Sequence, residues 1–154
     1  MKKIILGLSF VFFASAMMAQ NTHDYMEVER AALKTEKKAL VADAMELTEG
    51  ESPAFWALYN EYNNKQYVIN TNVYKTLVDY ADNFDTITDE KALELWANYM
   101  KSMDELSKLK KTYFKKFQKI LPGKKVVRYF QVENKVWMLI SAQLALEIPL
   151  MENN

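Results

Sequence analysis

Apolar positions along the chain recur at steps of three and four rather than two, which predicts helices. Four segments carry that rhythm, at about 24–47, 50–84, 89–121 and 123–147. In the first, Met26, Leu33, Leu40, Ala44 and Leu47 fall near one face. The second has the stripe Phe55, Leu58/Tyr59, Tyr62, Ile69, Val73, Leu77, Tyr80 and Phe84. Its middle, 67–73, is rich in β-branched residues and Asn, which lowers helix propensity and marks a place for a kink. A strand is excluded there because the apolar pairs 73/74, 77/78 and 80/81 do not alternate. The third segment is the most regular. Ala92, Trp96, Tyr99, Met103, Leu106, Lys110, Tyr113, Phe117 and Ile120 form a heptad seam, interrupted at Lys110. Val126, Phe130, Glu133, Trp137, Ile140 and Leu144 continue a similar rhythm up to Pro149. Residues 137–148 are apolar around most of a helix circumference, which calls for burial on more than one side. That points to a dimer interface or an apolar partner.

The boundaries have their own signals. Thr48-Glu49-Gly50-Glu51 reads as a capping box, and Ser52-Pro53 offers a competing start with Pro53 at the first helical position. Thr88 is the expected N-cap of the third helix, with Asp89 and Glu90 beside its positive end. Pro122-Gly123 ends that helix and opens the fourth. At about 1.5 Å per residue the two middle helices are each roughly 50 Å long, and the short turn between them demands an antiparallel hairpin. The predicted fold class is all-α, four helices with a long hairpin, either a compact bundle or an extended hairpin that pairs with a second copy.

Composition sharpens this picture. A chain of 154 residues allows one domain, and three Gly and three Pro are too few for an all-β protein. Met1-Lys2-Lys3, the apolar run Ile4 to Phe13 and the small-residue stretch up to Ala19 make the three-part plan of a secretory signal peptide. Cleavage is expected after Ala19, leaving 20–154 as a single helical domain that is exported. The apolar run is short of the roughly 20 residues that a membrane span needs, so stable membrane insertion is not expected. With no Cys in the chain, disulfides, a lipid anchor at that site and thiolate chemistry drop out together.

Little else suggests catalysis. His23 is the only His and lies in the polar stretch behind the signal peptide; one imidazole without partners is a poor metal site. Two glycines beyond the signal segment, Gly50 and Gly123, cannot build a phosphate loop. The carboxylate pairs Glu49/Glu51 and Asp104/Glu105 fit helix caps and solvated faces better than acid–base work. Met100 and Met103 share a helical face and suit core filling, a soft metal or a varied apolar partner. No catalytic residue, metal site or cofactor is assigned, and the chain is not expected to be an enzyme.

Charge is more informative. Residues 20–100 carry 7 basic and 15 acidic groups, whereas 101–154 carry 11 and 5. Between 101 and 128 ten basic side chains face only Asp104 and Glu105. Lys101, Lys108 and Lys115, seven apart, form one line opposite the seam. The candidate client-binding set is Lys101, Lys108, Lys111, Lys115 and Lys119. A solvated face with Asp104–Lys108 as a helical ion pair is the alternative. Nucleic acid is not an expected partner, because it conflicts with export. Anionic lipid, cell-wall polymer or an acidic unfolded protein suits the charge better.

The turn Leu47-Thr48-Glu49-Gly50-Glu51 is similar to the Leu-Thr-x-x-Gln motif of the Spy/CpxP-like family, with Glu for Gln, and Phe55 to Tyr62 resembles the segment that follows it in some members. Leu47, Thr48 and Glu51 are the residues that carry it. At the turn after the third helix, Leu121-Pro122-Gly123-Lys124-Lys125 keeps only the Leu and the helix break. The resemblance implies a periplasmic four-helix fold with a long hairpin, usually a curved homodimer. It implies ATP-independent chaperone or stress-response activity on unfolded or envelope proteins. The His-rich motifs of metal-resistance relatives are missing, so no metal-sensing role is implied. Alternative roles are a signalling module docking on a membrane sensor or anti-sigma partner, and a carrier of a small apolar ligand or lipid.

Overall fold

Helical periodicity becomes helical structure along residues 33–151, the part of the chain that the computed structural model describes. Helix α1 covers 33–45 of it. Helix α2 runs Ser52–Asn83, α3 Asp89–Phe117 and α4 Gly123–Glu147. A single 3-10 turn, Phe84–Thr86, links α2 to α3. No strand occurs among the described residues, and the fold is all-α. The expected signal peptide at 1–19, His23, Met26 and the expected helix start at 24 lie outside the described residues.

Each boundary is set by local chemistry. The Thr48 N–H donates to Glu51 Oε2 at 2.9 Å and the Glu51 N–H donates to Thr48 Oγ1 at 3.3 Å, the reciprocal bonds of a capping box. Ser52 N–H then bonds the Thr48 carbonyl at 3.0 Å and proline occupies the first turn of α2. The two competing starts are therefore one structure. Thr88 Oγ1 accepts the Lys91 N–H at 3.3 Å and caps α3. The Pro122 carbonyl accepts from Lys125 and Val126 N–H at 2.9 and 3.1 Å, opening α4. Helix α2 passes unbroken through 67–73. Thr71 Oγ1 donates back to the Tyr67 carbonyl at 2.8 Å, so a residue of low propensity satisfies its hydroxyl inside the helix.

Helix α1 ends where Glu46 adopts φ 45°, the left-handed region. A side chain there costs about 1–2 kcal/mol, which glycine avoids. Glu46→Gly should raise stability by about 0.5–1 kcal/mol in thermal unfolding. The pair it removes, Arg128 to Glu46 at 3.6 Å, is exposed and contributes little.

Helices α2 and α3 pair antiparallel. Lys91 Nζ meets Asp79 Oδ2 at 2.8 Å at one end, and Tyr113 Oη donates to Glu61 Oε1 at 2.6 Å at the other. The core is concentrated at that second end, where Val41, Met45, Phe55, Tyr59, Tyr62, Tyr113, Phe117, Leu121, Val126, Tyr129 and Phe130 are buried together. Contacts between α3 and α4 fall on the same side. Lys110 bonds Asn134, Phe114 meets the Phe130 ring at 5.4 Å, and Phe117 meets Tyr129 at 4.7 Å.

Two of the predicted stripes are displaced. In α1, Leu33 and Leu40 are 42% and 56% exposed, while Val41 and Met45 are buried. The inward face of α1 is set by Lys37, Val41 and Met45, four residues apart, and Leu40 lies about 100° round from it. In α3, Leu95 is buried and Trp96 is 63% exposed. Leu95 and Trp96 are neighbours about 100° apart on the helix, so the face that buries Leu95 leaves Trp96 turned to solvent. In α4, Met138, Leu139 and Leu146 are exposed, so the all-round apolar character of 137–148 is not absorbed among the described residues.

Candidate functional site

The basic stretch divides into two groups with different environments. Lys116 Nζ lies 3.0 Å from Glu61 Oε1 and 4.5 Å above the Tyr113 ring. Lys125 pairs with Glu51, Arg128 bonds the Ala44 carbonyl, and Lys110 donates to Asn134. These four cations make contacts from one element of the fold to another. Lys101, Lys108, Lys111, Lys115 and Lys119 are all exposed, and none makes an ion pair among the described residues. The structure places the first four along the side of α3 turned away from α2. Lys119 sits beyond the helix end, in the turn at 118–120. The predicted pair Asp104–Lys108 is not among the ion pairs that form.

The same side of α3 carries an apolar patch that the heptad seam hid. Leu93, Trp96 and Met100 are 72%, 63% and 49% exposed. They follow steps of three and four, the spacing of one helical face; Trp96 belongs to the predicted seam yet turns outward, whereas Tyr99 and Met103 further along it are half-buried. That offset was present in the sequence, but without the α2 contacts nothing ranked one row above the other. The outward face of α3 thus passes from large apolar side chains at its start to unpaired ammonium groups towards its end.

The Leu47, Thr48 and Glu51 motif is structural in this fold. Its Glu51 carboxylate lies below the usual carboxylate range because Lys125 bonds it, with the Thr48 bonds adding to the effect. The motif therefore fixes the start of α2 against the start of α4. Glu61 shows a similar effect more strongly. The Tyr113 hydroxyl first, then Lys116, hold its carboxyl down to about 2. A depressed carboxylate stabilises the fold above its unfolded value of 4.5 and withdraws that support as pH falls towards about 2. Its side chain is 45% exposed, so solvent screens the contribution to stability. A carbon-detected NMR titration of the Glu61 carboxyl should therefore find a midpoint near 2, moving up towards the ordinary range in Tyr113→Phe.

A polar cluster missed by sequence reasoning lies within the core. Lys37 Nζ reaches Asn63 Oδ1 at 2.8 Å, Gln66 Oε1 at 2.9 Å and Glu133 Oε2 at 2.8 Å. All three ammonium donors are thereby used. The Lys37 and Glu133 side chains are only 13% and 2% exposed. Tyr59 and Tyr129 hydroxyls and Glu133 Oε1 are buried without a hydrogen-bond partner among the described residues. Burial, and then the Glu133 charge, push all three core phenols, Tyr59, Tyr62 and Tyr129, well above their ordinary range. The one signal for this cluster was Glu133 falling on an otherwise apolar rhythm.

Among the described residues no group of three or more His, Asp or Glu side chains is placed to hold a metal, and no helix is long and apolar enough to cross a membrane. No family model, curated protein or solved structure matches the chain.

Proposed function

We propose that the chain is an exported, non-enzymatic binding protein of the Spy/CpxP-like type that holds unfolded envelope proteins in the periplasm without ATP. The observation that supports this reading is the outward face of α3, where exposed Leu93, Trp96 and Met100 lead into the unpaired Lys101, Lys108, Lys111 and Lys115. Unfolded acidic proteins offer the complementary chemistry, apolar segments interspersed with carboxylates. Charge governs the rate and orientation of encounter, and apolar contact sets how long the complex lasts.

Protein comprising residues 20–154 should suppress light scattering from a denatured acidic protein at several-fold molar excess. Replacing Lys108, Lys111, Lys115 and Lys119 by Glu should remove most of that suppression, together with its dependence on salt. Failure of the unaltered protein to suppress aggregation would sink the reading. Capture of a single stoichiometric membrane protein from envelope extract would favour the signalling alternative instead.

A further inference from the structure

Helices α3 and α4 lie antiparallel, with Lys110 bonded to Asn134 and Phe114 against Phe130. At that level aromatic rings close the seam between them. Steps of three and four carry the row of Phe114 back through Lys110, Ser107 and Met103 to Met100 and Trp96. On α4 the row of Phe130 runs on through Asn134 to Trp137 and Met138. These continuations are exposed, Trp137 by 37% and Met138 by 67%, as Trp96 and Met100 are. The end of α4 and the start of α3 lie at one end of the hairpin. There the Pro149 carbonyl accepts from Tyr80 Oη at 3.0 Å, and the neighbouring Asp79 holds Lys91. Towards the other end the seam is edged with cations. Lys111 is four residues beyond Ser107 on α3, and Lys135 is three before Met138 on α4, so cations and apolar groups share one flank. Lys111 and Lys115 on α3, with Lys124 and Lys135 on α4, are exposed, and none makes an ion pair among the described residues.

We propose that this flank of the α3–α4 seam is a single binding track for an extended client segment whose carboxylates stand at a set distance from its apolar side chains. The apolar groups lie on Trp96, Met100 and Met138, and the carboxylates on Lys111, Lys115, Lys124 and Lys135. The inference rests on the reading of the chain as a client-binding protein, adds α4 to the site and names the segment that the site selects. Met100 precedes Lys111 and Lys115 by 11 and 15 residues, roughly 16–22 Å along a helix. An extended chain covers that span in about five to seven residues. Selection is therefore by spacing, and a segment of the same composition with its charges misplaced fills only one half of the track. Met100 and Met138 are flexible and polarizable, so the apolar half accepts varied side chains. Exposed Asp85, Asp89 and Glu90 lie beyond Trp96 and repel carboxylates from that end, so charge fixes which end of the client lies where. The same acidic group disfavours an anionic lipid surface at the apolar end.

Three labelled peptides of one composition test the track by fluorescence anisotropy against residues 20–154. One has a Leu/Phe block and a Glu block separated by about six Gly and Ser residues, one has the blocks adjacent, and one alternates Leu/Phe with Glu. The spaced peptide should bind at least about tenfold tighter than the other two. Lys111→Glu with Lys135→Glu, and Met138→Glu alone, should each weaken its binding at least about tenfold. Leu139→Glu, also at an exposed position but about 100° round α4 from Met138, should leave binding unchanged. All these positions are exposed, so circular dichroism should show the same helix content throughout. Equal binding of the three peptides, or equal losses from Met138→Glu and Leu139→Glu, would overturn the track, while suppression of aggregation by the same protein would leave the chaperone reading standing. Binding of the spaced peptide as expected, without any suppression, would overturn the chaperone reading and leave the track. Attachment to phosphatidylglycerol vesicles that Met138→Glu abolishes, with no peptide bound, would make lipid the occupant and overturn the proposal.

Discussion

Lys37→Met should destabilise the protein by about 3–5 kcal/mol, the cost of leaving a buried charge without its partner. Glu133 is 2% exposed on its side chain, and Lys37 is its only ion-pair partner among the described residues. Removing the ammonium also strands Asn63 Oδ1 and Gln66 Oε1, which both accept from it. Among the described residues no second cation lies within ion-pair distance of Glu133. The double variant Lys37→Met with Glu133→Leu should recover most of the loss, because an apolar pair of similar volume avoids the desolvation that the ion pair has to offset. Urea unfolding of the two single variants and the double variant gives the coupling directly. A single-variant loss below about 1 kcal/mol would show that the pair is solvated in the folded state.

Phe117→Ala should cost about 3–5 kcal/mol, combining lost transfer energy with the cavity left behind. Phe117 is fully buried and its ring meets Phe55 at 5.5 Å, Tyr129 at 4.7 Å and Phe130 at 5.9 Å. It therefore joins side chains from α2, α3 and α4 at the crowded end of the hairpin. These neighbours are themselves large and interlocked, so the site collapses poorly once the ring is gone. Trp96→Ala is the matched control on the same helix. With Trp96 63% exposed, its removal should change stability by less than about 1 kcal/mol. Equal losses at the two positions would contradict the placement of the core.

The contrast between Phe117 and Trp96 also marks what could be read from the chain alone. Both lie on the same heptad seam, and nothing local separates them. Helix ends were readable because caps act within four residues: Thr48 with Glu51, Thr88 with Lys91, and Pro122 ahead of α4. Fold class followed from periodicity for the same reason. Which face of a helix is buried depends on where its neighbours stop, and that is a property of the assembled molecule. The row Leu33, Leu40 was therefore plausible in α1, although Val41 and Met45 are the residues that reach the core. The lysine face was legible because seven-residue spacing needs no partner to be seen. The distinction between Lys115, which makes no ion pair among the described residues, and Lys116, which Glu61 neutralises, needed the opposing helix. The buried pair of Lys37 and Glu133 was the hardest to anticipate, because its members are 96 positions apart: Glu133 falls on an apolar rhythm, but nothing local names Lys37 as its partner.

The location of the core at one end of the hairpin gives the backbone a gradient of amide exchange. Residues near Tyr113 and Phe117 sit beneath interlocked rings and should exchange only with global unfolding. Around Leu93 and Trp96, where large side chains are exposed, amides should exchange through small openings that leave the rest intact. A single helix, α3, would then span slow and fast regimes from its last turns to its first, and its ends could be dated separately in one deuterium-labelling experiment.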